Sequence, residues 1–563
     1  MGSFRSRDVD VSPRRDVDVS PKRGVDVSSQ PDVDVSSQPD VDVSSQQKEW
    51  QAATAWIAAA FLLRSLIAYL VPLLPDETYY WEWSRHLAAG YFDHPPGIAL
   101  LIAGSAAIFG NNTLGVRVGP AAAALIAHIA IVMLAARLGG MRAAVRAACI
   151  VTLLPLATLG LVLATPDAPL LASAAVALLF LERALHSTIG SRTSLKWWTL
   201  TGFALGAAFL SKYTAVLLPA SLVFACIVYP PLRRRFGEAG PWVASAIALA
   251  MFAPVVAWNA QSGWVSFRFQ LNHGFGVAAR GTPIGRELEL IGGQLALATP
   301  IFGVLMFMAV VVSMRNAWRA RVLERSDDKH ATYFALACIA LLPLVFFAVS
   351  AWRRRVEPNW PALFYPPAMV LLAVNASAWA RSRWWKWGVG VAAGILAMLI
   401  AQTWKPIALI APPKDPIARA YGWNTIAMAV DAAHADAFLA STSKQWVAAE
   451  RYQDASELAF YLPEQPQVFA LNLNGRANQY DLWDSPSDKI SAQDGLIVTF
   501  DATPSGDALA AVVGGWFEGS KRGETVTMRR EDGVIGLRRL WLFRNARNIP
   551  DQHLRLPPSA ATR

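Results

Sequence analysis

Hydrophobic positions along this chain gather into long runs separated by short polar segments. A helix needs about 18 or more apolar residues to cross a bilayer. The pattern predicts about eleven spans, roughly 52–73, 117–137, 143–163, 168–184, 198–211, 214–231, 241–258, 290–313, 331–350, 361–380 and 386–404. The fifth is short and pairs tightly with the sixth around Lys212. The apolar stretch 97–109 is too short to cross and predicts an interfacial or re-entrant helix. The expected fold class is a polytopic α-helical membrane protein of residues 49–404.

The pattern changes at both ends. Residues 1–48 repeat DVDVS from Asp8, Asp16, Asp32 and Asp40, with GVDVS at Gly24, at a constant spacing of eight. Ser, Gln and Pro punctuate every repeat, which predicts a disordered cytoplasmic tail; a partner-binding repeat is the other reading. After residue 404 the runs become short and strand-like: Trp446–Ala449, Gln467–Leu471, Gly495–Phe500, Thr525–Arg529 and Ile535–Phe543. Residues 405–563 are therefore expected to form a small periplasmic α/β domain.

Composition agrees with the membrane class: 54% of residues are hydrophobic and 16% charged, against about 25% charged in an ordinary soluble protein. The net charge of +10 does not imply nucleic acid, because much of the excess lies in short loops that set orientation. With the N-terminus inside, the inner loops carry Arg142 and Arg146, Arg192 and Lys196, Arg233 to Arg235, Arg315 to Lys329, and Arg381, Arg383 and Lys386. An odd number of spans puts the C-terminal domain outside, in the periplasm of a bacterial inner membrane. The polar start of the chain leaves the first apolar run as the insertion signal. Cys149, Cys226 and Cys338 all fall within apolar runs, so no disulfide framework is expected. Arg353, Arg354 and Arg355 oppose the charge rule, since they follow the ninth span on the outer side. An anionic ligand at the membrane surface explains them, because guanidinium binds phosphate oxygens bidentately; lipid headgroups or a miscounted span are the alternatives.

Candidate chemistry lies in the outer loops. The first holds Pro75-Asp76-Glu77-Thr78-Tyr79-Tyr80-Trp81 and then Tyr91-Phe92-Asp93-His94-Pro95-Pro96-Gly97. Acids at a membrane surface are disfavoured unless paired or used. One carboxylate here can take a proton from an attacking hydroxyl while another orients the acceptor. Asp76 can equally cap a helix or pair with Arg85. Asp167, between Pro166 and an Ala-Pro pair, can cap the next helix or face the same pocket. Lys212 and Arg117 each have two readings, snorkelling to headgroups or holding a phosphate. The long loop 259–289, with Trp264, Arg268, His273, Arg280, Arg286, Glu287 and Glu289, suits a lid or a sugar–phosphate contact. Trp360 and Tyr365 can stack on a sugar or belong to the interfacial aromatic belt. No Walker, dinucleotide-binding, HExxH or CxxC pattern occurs, and His86 and His94 alone make no metal site, so no cofactor or metal is expected.

The stretch Asp76-Glu77-Thr78-Tyr79-Tyr80 with Tyr91-Phe92-Asp93-His94-Pro95-Pro96 resembles the first periplasmic loop of the GT-C glycosyltransferases. The subgroup is family 39/83, the protein O-mannosyltransferases and the lipid A aminoarabinose and galacturonic acid transferases. Thr165-Pro166-Asp167, Leu210-Ser211-Lys212-Tyr213 and Glu357-Pro358-Asn359-Trp360-Pro361 resemble further signatures in order, and the likeness covers roughly residues 52–405. Ala455-Ser456-Glu457-Leu458-Ala459-Phe460-Tyr461 has a similar look in the C-terminal part, without an attached mechanism. The resemblance implies an inverting transfer from a polyprenyl-phosphate sugar donor to a periplasmic lipid, glycan or protein acceptor. It implies Asp76 for catalysis, Asp93 and Asp167 as acceptor or sugar ligands, and Lys212 as the phosphate contact. Glu77, Tyr80, His94, Arg268 and Arg353 to Arg355 complete the expected donor-binding set. The aminoarabinose transferases have Arg where this chain has Tyr79, and commonly Glu-Lys in place of Asp93-His94. Both changes remove a fixed positive charge near the expected phosphate, which His94 or Arg353 to Arg355 would have to replace.

Two other functions fit a polytopic chain. A flippase of a lipid-linked intermediate would place charges or broken helices at mid-bilayer, whereas here the charges cluster at the outer surface. An assembly protein docking through its C-terminal domain leaves the polar cluster of the first loop without a role.

Overall fold

The computed structural model describes residues 43–275, 281–376, 383–406, 415, 417–439, 445–472, 476–500 and 504–550. The DVDVS repeats, Arg280 and Arg381 lie outside the described residues, as does the His273 side chain. Residues 47–563 form one compact unit.

Among the described residues, seven helices are long and apolar enough to cross a membrane: Ser44–Leu70, Thr113–Leu153, Asp167–Leu185, Ala239–Gln261, Pro300–Val322, Asp328–Ala351 and Arg383–Trp404. A bent pair, Tyr213–Val228 with Pro230–Gly237, makes up to eight. The chain is a multi-pass membrane protein. The helix boundaries agree with the expected spans at some places and shift at others. The second and third predicted spans, 117–137 and 143–163, fall on the two halves of the helical stretch Thr113–Leu153, which breaks between them at Gly140, whose φ of 73° suits a residue without Cβ. That helix ends at Leu153, and Leu156–Gly160 continues the third predicted span as a single π-type turn. The eighth prediction, 290–313, straddles a break at Thr299–Pro300. Its first half falls on a 16-residue helix, Pro283–Ala298, ahead of the candidate span Pro300–Val322. The tenth prediction is only the short apolar segment Trp360–Asn375, and the fifth is the helix Arg192–Ser211. The stretch 97–109 is a short helix, Gly97–Phe109, as expected.

The spans pack through small residues. The contact between Arg192–Ser211 and Ala239–Gln261 runs past Gly202, where an added Cβ would sit 2.7 Å from the backbone of Ala244. Helix association in lipid relies on this kind of close approach. The three cysteines are buried and unbridged.

The C-terminal part is a five-stranded sheet in the order β2-β1-β3-β5-β4. Strands β1 (Trp446–Ala449), β2 (Val468–Ala470) and β3 (Gly495–Thr499) are parallel, and the helix Tyr452–Tyr461 crosses from β1 to β2. The long hairpin β4 (Phe517–Arg530) and β5 (Gly533–Ala546) joins antiparallel to β3. A parallel pair needs such a crossover, and the three short strands read fully buried, as parallel strands do. Both hairpin strands are longer than predicted, because their exposed ends are too polar to read as strand. The crossover helix packs on the helix Pro75–Arg85 of the first loop: Trp81 meets Phe460 edge-on at 5.0 Å, and Thr78 Oγ1 lies 3.2 Å from Ser456 Oγ. The Ala455–Tyr461 motif thus seats the sheet on the first loop. A second fastening is buried: Arg530 pairs with Asp415, which also accepts from Gln402 at the end of the last span (2.7 Å).

Candidate functional site

Pro75 opens the helix Pro75–Arg85, where a missing N–H costs nothing. Its first turn carries two adjacent acids with opposite fates. Glu77 is fully buried. It accepts from Arg117 Nε (2.8 Å) and Nη2 (2.6 Å), from the Ala164 amide (2.9 Å) and from the Leu74 amide (3.0 Å). Arg117 spends its remaining donors on the carbonyls of Ala68, Val71 and Pro72. It therefore neither snorkels nor faces a ligand; it closes the end of the first span. Asp76, one position earlier, turns into a chamber of about 780 Å³. It does not pair with Arg85, whose partner is Glu82 at 2.7 Å.

The chamber gathers most of the sequence-predicted residues. Asp76, Tyr80, Asp93, His94, Asp167 and Lys212 all line it. The His94-Pro95-Pro96 segment turns the chain into the helix Gly97–Phe109. A Cβ at Gly97 would lie 2.6 Å from the Leu210 carbonyl oxygen, so glycine lets this turn rest against the backbone just before Lys212. Lys212 Nζ donates to Asp167 Oδ1 (2.8 Å), and Asn359 Nδ2 donates to Asp167 Oδ2 (2.6 Å). Asp167 begins the helix Asp167–Leu185 but makes no side-chain cap there, so the ion pair replaces the capping role. Asp93 Oδ2 accepts from Tyr79 Oη (2.8 Å), which in turn accepts from the Gln479 amide (2.8 Å).

Two cations that sequence reading did not single out complete the wall. Arg419 and Arg476, both from the C-terminal part, line the chamber beside Tyr452. Burial pushes the Asp76 carboxyl above its ordinary value, and the charges of Arg419 and then Arg476 oppose that shift. Burial raises Asp93 to about 6, against the Tyr79 hydrogen bond and the charge of Arg476. Tyr79 itself is pushed well up by burial and by Asp93, so it stays a neutral donor. Arg419 and Arg476 thus bring positive charge beside the two acids from the C-terminal part. No local pattern reveals this, because Arg476 lies some 400 residues along the chain from the acids it faces.

The other predicted contacts sit elsewhere. Arg268, Arg353, Arg354 and Arg355 are not in the chamber wall. Arg268 and Arg353 are exposed, Arg354 donates to the Asn272 carbonyl, and Arg355 pairs with Glu289 at 3.3 Å on the surface. The segment 259–289 is largely helical, Val265–Phe275 followed by the start of Pro283–Ala298, and offers Phe269, Gln270 and Leu271 to the chamber rather than its basic residues. Gln270 donates to the Asp93 carbonyl (2.7 Å). Arg286 is buried and holds the Ala351 and Trp352 carbonyls (3.0 and 2.6 Å). Trp360 reaches the wall, whereas Tyr365 is buried against Gln294 (2.8 Å). The lining also includes the apolar side chains of Val216, Leu217, Leu271, Phe346 and Phe347. One cavity therefore combines carboxylates able to take a proton, cations able to hold an anion, and a surface able to receive a hydrocarbon tail.

This architecture, a helical membrane bundle with a C-terminal sheet domain packed on the loop helix Pro75–Arg85, is the GT-C fold. ArnT from Cupriavidus metallidurans, solved with undecaprenyl phosphate, superposes over 89% of this chain and 98% of its own at a TM-score of 0.58 and 16% identity. Residues 93–258 match the dolichyl-phosphate-mannose-protein mannosyltransferase family. The chain is 27% identical to the lipid A galacturonosyltransferase RgtD of Rhizobium johnstonii over 346 residues, 60% of this chain and 66% of that one. It is 29% identical over 313 residues to the undecaprenyl phosphate-alpha-4-amino-4-deoxy-L-arabinose arabinosyl transferase of Pseudomonas aeruginosa, 50% of this chain and 53% of that one. The chain thus spans between half and two-thirds of the length of these curated relatives, and both are named as sugar transferases.

Proposed function

We propose that this protein is an inverting glycosyltransferase that moves a sugar from a polyprenyl-phosphate carrier to a lipid, glycan or protein acceptor on the periplasmic face of the bacterial inner membrane. The observation that carries the reading is the shared chamber: Asp76, Asp93 and the Asp167–Lys212 pair face one cavity lined by both charged and apolar side chains. Residues 49–404 form the transferase domain, 405–563 a periplasmic domain that roofs it, and 1–48 a cytoplasmic tail.

In this reading the carrier's isoprenoid tail lies along Val216, Leu217, Leu271, Phe346 and Phe347, and its phosphate meets Lys212, with Arg476 and Arg419 behind. Asp76 accepts the proton of the acceptor hydroxyl as its oxygen attacks the anomeric carbon. The bond from that carbon to the phosphate oxygen breaks, its electron pair leaves with the polyprenyl phosphate, and the configuration inverts. The cations stabilise the charge that develops on the leaving phosphate, in a wall where they are already oriented. Asp93 and Asp167 orient sugar or acceptor hydroxyls; Tyr80 and His94 line the donor. Relatives that are all sugar transferases favour this over a flippase.

Transfer from a carrier-linked sugar to envelope acceptors, followed by mass spectrometry, tests the proposal. Asp76→Asn keeps the shape and removes the base, so turnover is expected to fall at least about 100-fold with the thermal transition unchanged. Full activity in this variant would remove the proposed site.

A further inference from the structure

A second cavity, of about 300 Å³, lies further along the same loop helix, Pro75–Arg85. Its wall is built from Glu82, His86, Tyr480, Trp483 and Asp484 together with the strand β2. We propose that this cavity is an acceptor subsite, which binds an uncharged or aminated sugar ring of a glycan whose neighbouring unit is glycosylated in the chamber. The proposal rests on the transferase reading above.

Three observations carry it. First, the cavity has the two surfaces a pyranose needs. The His86 and Trp483 rings lie 4.8 Å apart at 40°, a partly exposed aromatic corner on which the C–H face of a sugar can rest. Around it stand hydrogen-bonding groups for the ring's hydroxyls. The Glu82 carboxylate is nearly buried, and Tyr480 Oη is buried with no partner among the described residues. Strand β2 also lines the cavity; it is last in the sheet and, among the described residues, pairs with β1 alone.

Second, the cavity is connected to the chamber by one helix face. Tyr79, Glu82 and His86 follow at i, i+3 and i+7, which places them in one stripe. Tyr79 lines the chamber, and the other two line the second cavity. Tyr480 stacks on Tyr79 (6.2 Å, 15°), so the two cavities share this aromatic wall. From Tyr79 to His86 the axis advances about 10 Å, on the order of the length of a disaccharide.

Third, the charge discriminates. Glu82, Asp481 and Asp484 bring three carboxylates to the wall, against Arg85 and Lys489, which pair with Glu82 and Asp484 at 2.7 and 3.2 Å. A uronic acid or a phosphorylated sugar meets repulsion there; a neutral or amino sugar does not.

The test is saturation-transfer NMR on the detergent-solubilised full chain with methyl glucoside, glucosamine and glucuronate as probes. It is run on the unmodified protein, Trp483→Ala, Glu82→Gln and the chamber variant Asp76→Asn. Ring-proton transfer is expected for methyl glucoside and glucosamine and several-fold weaker for glucuronate. It should fall at least threefold in Trp483→Ala and persist in Asp76→Asn, and Glu82→Gln should reduce the preference for glucosamine. In the transfer assay Trp483→Ala is expected to raise the KM for the acceptor about 5- to 10-fold with kcat and the donor KM unchanged. A signal unaffected by Trp483→Ala, or glucuronate bound as well as glucosamine, overturns the subsite. Loss of signal in Trp483→Ala in a protein that transfers no sugar would keep the sugar site and remove the transferase reading, so the two failures are distinguishable.

Discussion

Two buried ion pairs stand near one another at one end of the bundle, and they differ in what they leave unsatisfied. In the Glu77–Arg117 pair every guanidinium nitrogen has a partner and the carboxylate also takes two backbone amides. In the Asp167–Lys212 pair, Lys212 Nζ donates only to Asp167 among the described residues, and both side chains line the chamber. An ammonium has three donors. A saturated pair fixes the fold; a pair with spare donors beside a cavity can take a ligand. Burial alone separates neither, since all four residues are nearly inaccessible.

Four measurements bear on this contrast, taken from the largest effect to the smallest. Arg117→Ala leaves Glu77 buried without its charge partner, and the expected loss is about 3–5 kcal/mol. Thermal unfolding in detergent should show a large drop in Tm or no folded protein; a wild-type Tm would erase the distinction between the pairs. Lys212→Ala should spare more of the stability yet lower transfer about 10- to 100-fold through the donor KM, the worth of a charge-assisted hydrogen bond. If its KM stays unchanged, the lysine serves structure alone.

The pH response is next. A carboxyl raised on folding binds its proton more tightly in the folded state. Asp93, at about 6, therefore favours folding most at acidic pH, and that contribution is lost as pH rises through 6. Activity that needs the ionised form runs the other way, rising through that value. Tyr79→Phe removes the hydrogen bond that holds the ionised form, so the acidic limb of the rate profile should move up by about one pH unit. A limb that stays in place would separate Asp93 from the reaction. Arg353→Ala should change transfer less than about twofold and stability within ~0.5 kcal/mol, as for other exposed positions. A tenfold loss would mean that the surface arginines reach the carrier after all.

Several residues that line the chamber were legible because a membrane makes polar residues conspicuous. Asp76, Asp93, Asp167 and Lys212 stand at the ends of apolar runs, where a charge needs a reason. The same reasoning singled out Arg353 to Arg355, because charge that opposes an orientation rule looks like a ligand site; these side chains lie outside the chamber wall, with surface partners or solvent. Arg419 and Arg476 were not legible, since only the folded chain brings the C-terminal part over Asp76. The break at Gly140 was legible, since the predicted spans end at 137 and resume at 143 around Arg142. The break at Thr299–Pro300 was not, because apolar composition continues smoothly through it and a hydropathy window does not register a missing N–H. The strands β1 to β3 were read almost to the residue, because each is a short apolar run bounded by turn residues.

The Arg530–Asp415 clamp has a bearing on traffic. It fastens the hairpin to the end of the last membrane helix through a charge pair that is almost wholly inaccessible. Swinging the sheet aside would strand that charge in a dry environment, at a cost of about 3–5 kcal/mol. A sheet part fastened in this way resists swinging off the chamber wall that Arg419 and Arg476 help to build. Under the proposed function, a long greasy carrier is then expected to slide in edgewise between helices, with the surrounding lipid serving as its corridor.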